Sequence, residues 1–285
     1  MILIADSGST KCDWMLLKEN NFTQLFSTMG FNPFFHNESV ISNGIKENVE
    51  LAQNANNVTH IYLYSSGCSS AELKMVVEKG LKQVFTKANI FVDHDLVGAA
   101  YATYSGVPGI TCILGTGSNS CYFDGKNLSE EVPSLGYILG DEGSGSYFGK
   151  KLLIDYLYKK LPIEMNEYLM QDLKLTKKEI FENVYMKPHA NVYLASFMKI
   201  FGIFKNSEYV KLTVSAGLRH FLENHVCCFG DHKKVPVHFI GSIAYHFEDL
   251  LKLEAKKLDI EVGNIIQKPI DGLVDYHLKY VIGKS

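Results

Sequence analysis

Apolar positions in this chain form short runs separated by small or polar residues, and the chain opens on such a run. Residues 2–5 are all apolar, which favours a strand buried on both faces. Asp6 closes the run, the turn that follows is rich in Gly, Ser and Thr, and residues 14–17 predict a second strand. The chain therefore begins with a β-hairpin whose first strand ends in a carboxylate.

The rest of the first hundred residues alternates between strand-like and helix-like patterns. The pattern predicts a turn at 20–21, strands at 22–27, 61–64 and 90–92, and helices at 40–55, 71–85 and 96–104. This alternation favours an α/β domain with a mixed sheet.

A second unit begins near Gly109 and starts like the first. The apolar run 110–114 is followed by the small-residue turn 115–119, a strand at 120–123 and a hairpin turn at 124–125. We interpret this as an internal echo of the opening hairpin. Later elements are predicted as a helix at 146–159, a helical region at 162–230 divided at Pro188, a strand at 235–240, a helix through 258 and a final helix at 271–281.

Composition and charge exclude several classes of protein. The chain has 285 residues, of which 46% are hydrophobic and 21% charged, as in globular proteins with a sizeable core. Its net charge of −3 does not favour nucleic acid or an anionic membrane as partner. We find no signal peptide and no membrane-length apolar run. The six cysteines lack C-x-x-C spacing, so we expect reduced thiols and a cytoplasmic location.

Three predicted strands run into small-residue turns, at 6–10, 114–118 and 240–244. The backbone N–H groups of such turns can converge on an anion, and Asp6 can hold a hydrated Mg²⁺ beside phosphates. Ordinary hairpin turns are the simpler alternative for each turn taken alone. The sequence contains neither a P-loop nor a G-x-G-x-x-G motif after a strand, so those two nucleotide sites are excluded.

Taken together, these motifs resemble the sugar kinase/Hsp70/actin superfamily, and within it the N-acetylglucosamine kinase-like proteins of the BadF/BadG/BcrA/BcrD ATPase family. The resemblance rests on residues 6–10 with Trp14, on 114–119, on 239–244, on Asp95 with 98–100, and on 136–144. It implies a two-lobed α/β fold of the ribonuclease H-like (actin-like ATPase) type, in which each lobe is a mixed sheet flanked by helices. The expected lobes are 1–108 with the C-terminal helix 271–285, and 109–270.

The resemblance also implies an activity. We expect an ATP- and Mg²⁺-dependent kinase that phosphorylates an amino sugar at its 6-hydroxyl, with N-acetylglucosamine as the first choice. The expected partner is the small sugar, and a homodimer is an open possibility. Two rivals stay open. One is an activator ATPase of the BadF type, which holds a [4Fe–4S] cluster through cysteines across a dimer; the other is a sugar-sensing regulator that has lost catalysis.

Specific residues take roles from the resemblance. Nucleotide contacts are implied for Gly8, Ser9, Thr10, Lys11, Thr116, Gly117, Ser118, Gly241, Ser242 and Ala244. Sugar contacts are implied for Asn32, Ser66, Gly67, Asp95, Thr116, Gly136 and Asp141. Asp6 is the expected Mg²⁺ residue, through water. One departure concerns the sugar, because Leu135 stands where the family has a tryptophan.

Asp95 is the expected catalytic base, because transfer to a hydroxyl needs a carboxylate that orients the alcohol and accepts its proton. It stands between a predicted strand and a predicted helix, so an N-cap role is the alternative. Asp93 is the nearest competitor. For Asp141 the alternative is an acid favoured at a helix start. For Asn32, and for Ser66 with Gly67, the alternative to a sugar contact is an ordinary turn. We interpret the ten histidines as surface residues or as core residues with satisfied hydrogen bonds.

Overall fold

The computed structural model describes residues 1–18 and 23–283. The chain divides into two compact units, of which unit 1 comprises Met1–Gly106 and Lys268–Ser285, and unit 2 comprises Val107–Gln267. The turn predicted at 20–21 and the start of the strand predicted at 22 lie outside the described residues.

Unit 1 contains a mixed five-stranded sheet. Its strands are β1 (Ile2–Ser7), β2 (Lys11–Leu17), β3 (Thr23–Met29), β4 (His60–Ser65) and β5 (Asn89–His94), in the order β3-β2-β1-β4-β5. The first three strands pair antiparallel, whereas β4 and β5 run parallel to β1. The carboxyl ends of β1, β4 and β5 therefore meet at one edge of the sheet.

The first strand is apolar throughout because both of its faces are covered. Leu3 and Ala5 belong to the larger core of unit 1, whereas Ile4, on the opposite face, packs in a smaller cluster with the C-terminal segment. Trp14 on β2 is fully buried in the larger core, with its ring centroid 5.9 Å from that of Phe31. The continuous apolar run at residues 2–5 is thus explained by burial of β1 on both faces.

Four helices precede residue 106 in the described part of unit 1, and the first three begin after a residue whose side chain accepts a capping hydrogen bond. They are α1 (Glu38–Lys46), α2 (Val49–Gln53), α3 (Ala71–Lys82) and α4 (Asp95–Thr103), with a 3₁₀ turn at Ala55–Asn57. The helix predicted at 40–55 is interrupted, because Asn48 has an extended backbone and its side chain accepts a hydrogen bond from Leu51 N. Asn48 therefore caps a new helix.

Unit 2 repeats the sheet of unit 1. Its strands are β6 (Gly109–Leu114), β7 (Ser118–Phe123), β8 (Leu128–Ser129), β9 (Val237–Ile240) and β10 (Val262–Ile266), in the order β10-β9-β6-β7-β8. Strands β6, β7 and β8 pair antiparallel, and β9 and β10 run parallel to β6. The order and directions match unit 1 strand for strand, so the predicted internal echo is a repeated topology. Strands β8 and β10 were not anticipated from the sequence.

Most of the remaining chain of unit 2 is helical. The helices are α5 (Gly136–Leu139), α6 (Gly145–Leu157), α7 (Ile163–Glu167), α8 (Lys177–Phe181), α9 (Ala190–Ser196), α10 (Met198–Ile203), α11 (Glu208–His225), α12 (Ser242–His246) and α13 (Glu248–Lys257). Two π-helical turns, Tyr168–Asp172 and Glu182–Met186, follow α7 and α8. Around these helices the core is built on large aromatic residues such as Phe148 and Phe221, both fully buried.

The chain returns to unit 1 at its C-terminal end. Helix α14 (Ile270–Tyr276) continues as a π-helical segment, His277–Ile282. The Tyr276 ring stacks on Tyr101 of α4 with centroids 4.1 Å apart, and His277 Nε2 lies 2.9 Å from the Tyr64 hydroxyl of β4. These contacts bind the last helix to β4 and to α4, the helix that begins at Asp95. Within the described ranges, no helix combines the length and hydropathy of a membrane span.

Candidate active site

The first small-residue turn, residues 8–10, joins β1 to β2. Gly8 N donates to Lys11 O at 3.0 Å, which closes the turn. Gly30 lies directly against it, since a Cβ at Gly30 would stand 2.0 Å from Gly8 O and 2.8 Å from Lys11 N. Ser9 is half-buried, Thr10 is exposed, and Lys11 Nζ pairs with Asp13 Oδ1 at 2.7 Å. The chain after β3 therefore braces this turn by backbone contact that only glycine permits.

We expect Gly30→Ala to destabilise the protein by about 1–3 kcal/mol, because backbone must shift to admit the methyl group. Gly202, in α10, is the matched control, as a Cβ there meets nothing within 4 Å. Gly202→Ala should stabilise by about 0.5–1 kcal/mol. Thermal and urea unfolding measure both changes. Equal stability of the Gly30→Ala variant and the parent would contradict the close packing.

Two carboxylates stand at the carboxyl edge of the unit 1 sheet. Asp6, near the end of β1, has a half-buried side chain. Burial by the surrounding protein, followed by the charges of Asp95 and Asp13, raises the pKa of Asp6 to about 7. Asp95 is the first residue of α4; its Oδ2 accepts from Ser66 Oγ at 2.8 Å and its Oδ1 lies 3.2 Å from His94 Nε2. The structure thus brings together Asp6, Ser66 and Asp95, which are far apart in sequence.

Two alternatives to a catalytic Asp95 were open: Asp95 as a helix cap, and Asp93 as the base. His94, not Asp95, is the N-cap residue of α4, and the Asp95 carboxylate is held by Ser66 and His94 instead. The N-cap interpretation of Asp95 is therefore wrong. Asp93 pairs with Lys74 Nζ at 2.5 Å and also accepts from His94 N at 2.8 Å. Because its carboxylate already binds the Lys74 ammonium group and the His94 N–H, Asp93 is less available than Asp95 to orient a sugar hydroxyl.

Asn32 and Gly67 are neighbours in the same unit. The Asn32 side chain is buried, and its Oδ1 accepts from Phe34 N at 3.0 Å. Gly67 has φ of +82°, and a Cβ there would lie 2.4 Å from Asn32 Oδ1. The turn chemistry expected as the alternative is thus present at both residues, and it places them side by side next to Ser66.

The second small-residue turn, residues 115–117, joins β6 to β7 in unit 2. Gly115 N donates to Gly117 O at 3.0 Å, whereas in the turn of unit 1 Gly8 N donates to Lys11 O, one residue further along. The first residues of α6 bind this turn, since Gly145 N donates to Gly115 O at 2.8 Å and Ser146 N to Thr116 O at 3.0 Å. The Gly-rich segment before α6 therefore packs on the candidate phosphate turn.

Asp141 lies beside that turn. It is 8% exposed and has a left-handed backbone with φ of 58°. Its Oδ1 accepts from Ser118 N at 3.3 Å, and a Cβ at Gly117 would lie 3.0 Å from its Oδ2. Burial raises the pKa of the Asp141 carboxyl, and the hydrogen bonds from Ser118 and Ser146 only partly offset this. Ser144 is the N-cap residue of α6, so Asp141 lies before the helix, and its Oδ2 accepts from Ser146 Oγ at 3.5 Å.

The third turn follows β9. Gly241 has φ of +117°, and a Cβ there would lie 2.3 Å from Leu114 O and 3.2 Å from Gly115 N. The end of β9 therefore touches the start of the second turn, and Ser242 is exposed beside it. Ala244 is 0% exposed in the core of unit 2, so its side chain presents no surface to a ligand.

Gly136 begins α5 with φ of +69° and open space around its Cα. The segment carries exposed apolar side chains on Leu135, Ile138 and Leu139. Lys150 of α6 donates to Tyr137 O at 2.8 Å, which holds the end of this short helix. The position that carries tryptophan in the resembled family is thus an exposed leucine.

Sequence reasoning missed several residues near these groups. His94 gave no signal beyond its position next to Asp95, and Glu142 was seen only as a neighbour of Asp141. His225 and His277 are buried with Nδ1 atoms that have no hydrogen-bond partner among the described residues. The interpretation of every histidine as exposed or satisfied is therefore wrong for these two.

The cysteines bear on the iron–sulfur alternative. The side chains of Cys12, Cys68, Cys112 and Cys121 are fully buried. Burial raises the pKa of the Cys12, Cys68 and Cys112 thiols. Cluster ligation across a dimer needs accessible thiolates, so these residues disfavour it.

No protein-family model and no curated protein matches the chain. Solved structures do match. A candidate N-acetylglucosamine kinase from Porphyromonas gingivalis is 36% identical, with a TM-score of 0.92, and the match covers 99% of this chain and 100% of that one.

Two more distant structures share the fold. A candidate N-acetylglucosamine kinase from Chromobacterium violaceum is 16% identical with a TM-score of 0.66, and the match covers 96% of this chain and 98% of that one. A ROK family glucokinase from Streptomyces griseus, in complex with glucose and AMPPNP, is 14% identical with a TM-score of 0.53 and the same coverage of 96% and 98%.

Proposed function

The chain belongs to the sugar kinase family of the actin-like ATPase superfamily, and from this premise we propose that it phosphorylates an amino sugar, N-acetylglucosamine first among them, at the 6-hydroxyl. The coarser activity, ATP-dependent phosphorylation of a carbohydrate, follows from the family. The finer one rests on the candidate site and on the name of the 36% identical protein.

The observation that carries the proposal is the setting of Asp95. Both of its carboxylate oxygens are fixed, one by Ser66 Oγ at 2.8 Å and the other 3.2 Å from His94 Nε2. These two contacts hold the carboxylate in one direction, and a general base has to lie within hydrogen-bond reach of the proton that it accepts. In this role Asp95 orients the sugar hydroxyl and takes its proton as the phosphoryl group transfers.

Asp6 fits a cation brought by the nucleotide. Burial, followed by the charges of Asp95 and Asp13, raises the pKa of Asp6 to about 7, and a divalent cation beside Asp6 would offset both effects. Mg²⁺ is commonly held by one or two carboxylates together with substrate phosphates. When bound, it would neutralise charge on the phosphates. Turn 8–10, in the same unit as Asp6, would supply backbone donors to those phosphates.

Asp141 is the strongest candidate for recognition of the sugar. Its carboxylate is buried, acceptor-only when ionised, and close to Gly117 and Ser118 of the second turn. An incoming sugar hydroxyl would supply the donor that offsets this burial. Leu135 is exposed and stands where the resembled family has an aromatic residue. Preference for the N-acyl group of the sugar would therefore differ at this position.

The test is a coupled assay of ADP release with glucosamine, N-acetylglucosamine, N-acetylmuramic acid, N-acetylmannosamine and glucose, each against a blank without sugar. We expect the highest kcat/KM with N-acetylglucosamine, and phosphorus–proton NMR correlation should place the phosphate on O6. A preference for glucose, or a product phosphorylated elsewhere, would refute the finer proposal. ATP consumption that no sugar stimulates would refute the proposed substrate class altogether.

A further inference from the structure

A buried histidine closes helix α11 of unit 2. The His225 ring stacks on Phe221 with centroids 5.0 Å apart and planes 13° apart. Its carbonyl accepts from Ser120 Oγ of β7 at 2.6 Å. Its Nδ1 is buried and has no partner among the described residues. Leaving a buried polar nitrogen unpaired is unfavourable, so fold stability alone does not explain a histidine at this position.

The other ring nitrogen faces a carboxylate. His225 Nε2 lies 3.7 Å from Glu142 Oε2. Burial lowers the pKa of His225, although the Glu142 charge acts in the opposite direction. Burial thus favours the neutral ring. Its single proton is best placed on Nε2, where an acceptor stands, rather than on Nδ1, where none does.

Glu142 connects the end of α11 to the candidate site. Its Oε1 accepts from Asn224 Nδ2 at 3.3 Å, so two successive residues of α11 hold the side chain. Its carbonyl accepts from Ser118 Oγ at 2.8 Å. The preceding residue, Asp141, accepts from Ser118 N. Glu142 is thus anchored to α11 by its carboxylate and to the second turn by its peptide group.

We propose that Glu142 and His225 are positioning residues: through the Glu142 peptide, the end of α11 sets the orientation of Asp141 and of Ser118. The proposal rests on the proposed function, in which Asp141 binds sugar and Ser118 lies in the nucleotide turn. Without His225, the Glu142 carboxylate loses one of its two contacts on α11 and keeps the hydrogen bond from Asn224, so the Glu142 peptide gains freedom. The carboxylate of Asp141 then loses its fixed direction.

His225→Phe is the first variant for the test. Phenylalanine keeps the stacking on Phe221 and removes the unpaired nitrogen, so the midpoint of thermal unfolding should equal or exceed that of the parent. The value of kcat/KM for the best sugar of the assay panel should nevertheless fall about tenfold or more, since small misplacements of binding groups are costly. Glu223→Gln, on an exposed face of the same helix, is the control and should change neither quantity.

Glu142→Gln and the double variant complete the cycle. If Glu142 acts through His225, the loss in the double variant should match that of the larger single variant rather than the product of both. Hydrogen exchange of the free protein provides a readout without sugar: amides at 115–118 and 141–146 should exchange faster in His225→Phe than in the parent.

The outcomes separate the two claims. A parent that turns over no sugar refutes the proposed function, and hydrogen exchange then decides the positioning role alone. Sugar turnover by the parent with kcat/KM of His225→Phe within twofold, and unchanged exchange at 115–118, overturns the positioning role. A purely structural histidine would lower the unfolding midpoint and leave KM unchanged, which also overturns it.

Discussion

Replacing Asp95 by asparagine should lower kcat by about 10²–10⁴-fold, the usual contribution of general base catalysis. Asparagine keeps the size of the side chain and an oxygen that can accept from Ser66 Oγ. It loses the charge and the ability to take a proton. The measurement is turnover at saturating sugar and ATP·Mg²⁺, with sugar affinity from calorimetry expected to stay within a few-fold of the parent.

The structure also predicts little change in stability for this variant. Since His94 occupies the N-cap position, Asp95→Asn removes no helix cap. It also removes one of the charges that raise the pKa of Asp6, so that pKa should fall towards its ordinary value. Loss of activity therefore cannot be traced to unfolding if the unfolding midpoints agree.

Asp93→Asn is the matched control, two residues away on the same strand end. The substitution breaks the ion pair between Asp93 and Lys74. Both side chains of this pair are substantially exposed, so kcat should stay within about twofold of the parent value. The reverse result, an active Asp95→Asn and an inactive Asp93→Asn, would move the base to Asp93.

Asp141→Asn should weaken sugar binding by about 10–100-fold, because a hydrogen bond to a charged group contributes about 1.5–3 kcal/mol. Asparagine tolerates the left-handed backbone at this position and can still accept from Ser118 N. The loss should appear in sugar affinity measured by calorimetry, with ATP affinity nearly unchanged. Undiminished sugar affinity would remove Asp141 from the sugar site.

The same variant should be more stable than the parent at neutral pH. The folded-state pKa of Asp141 is raised above 3.8, so folding favours the protonated form. The ionised form therefore carries a penalty that is absent below about pH 3.8 and grows as pH rises through the folded-state pKa. Urea unfolding should show no difference between variant and parent at low pH and a gain for Asp141→Asn at pH 7.

Asp124 provides a control of opposite sign. Hydrogen bonds from the Asn127 and Lys126 backbone lower the pKa of this exposed carboxyl, so its ionised form is favoured in the folded state. Its contribution to stability is present above about pH 3.8 and is lost as pH falls. Asp124→Asn should consequently lose stability at pH 7 and not at low pH. Parallel pH curves for the two variants would contradict the assignment of both shifts.

Elements with a local cause were predictable from the sequence. The hairpins that begin each unit combine an apolar strand, a small-residue turn and a returning strand, and all three signals lie within about twenty residues. The helix predicted at 40–55 was wrong in its middle because the Asn48 cap outweighed the apolar period. Strand β10 was missed because its Gly and Asn weaken the pattern, and its pairing with β9 supplies the strand geometry.

The sequence by itself determined the chemistry available at the strand ends and, through the spacing of its motifs, the family. Only the tertiary structure decided which carboxylates are held, buried or neutralised. Asp93 and Asp95 look alike in sequence, yet one pairs with Lys74 and the other is fixed by Ser66. Likewise, Asp141 is fixed by Ser118. The protonation and direction of a carboxylate depend on neighbours within a few ångströms, and those neighbours come from other parts of the chain.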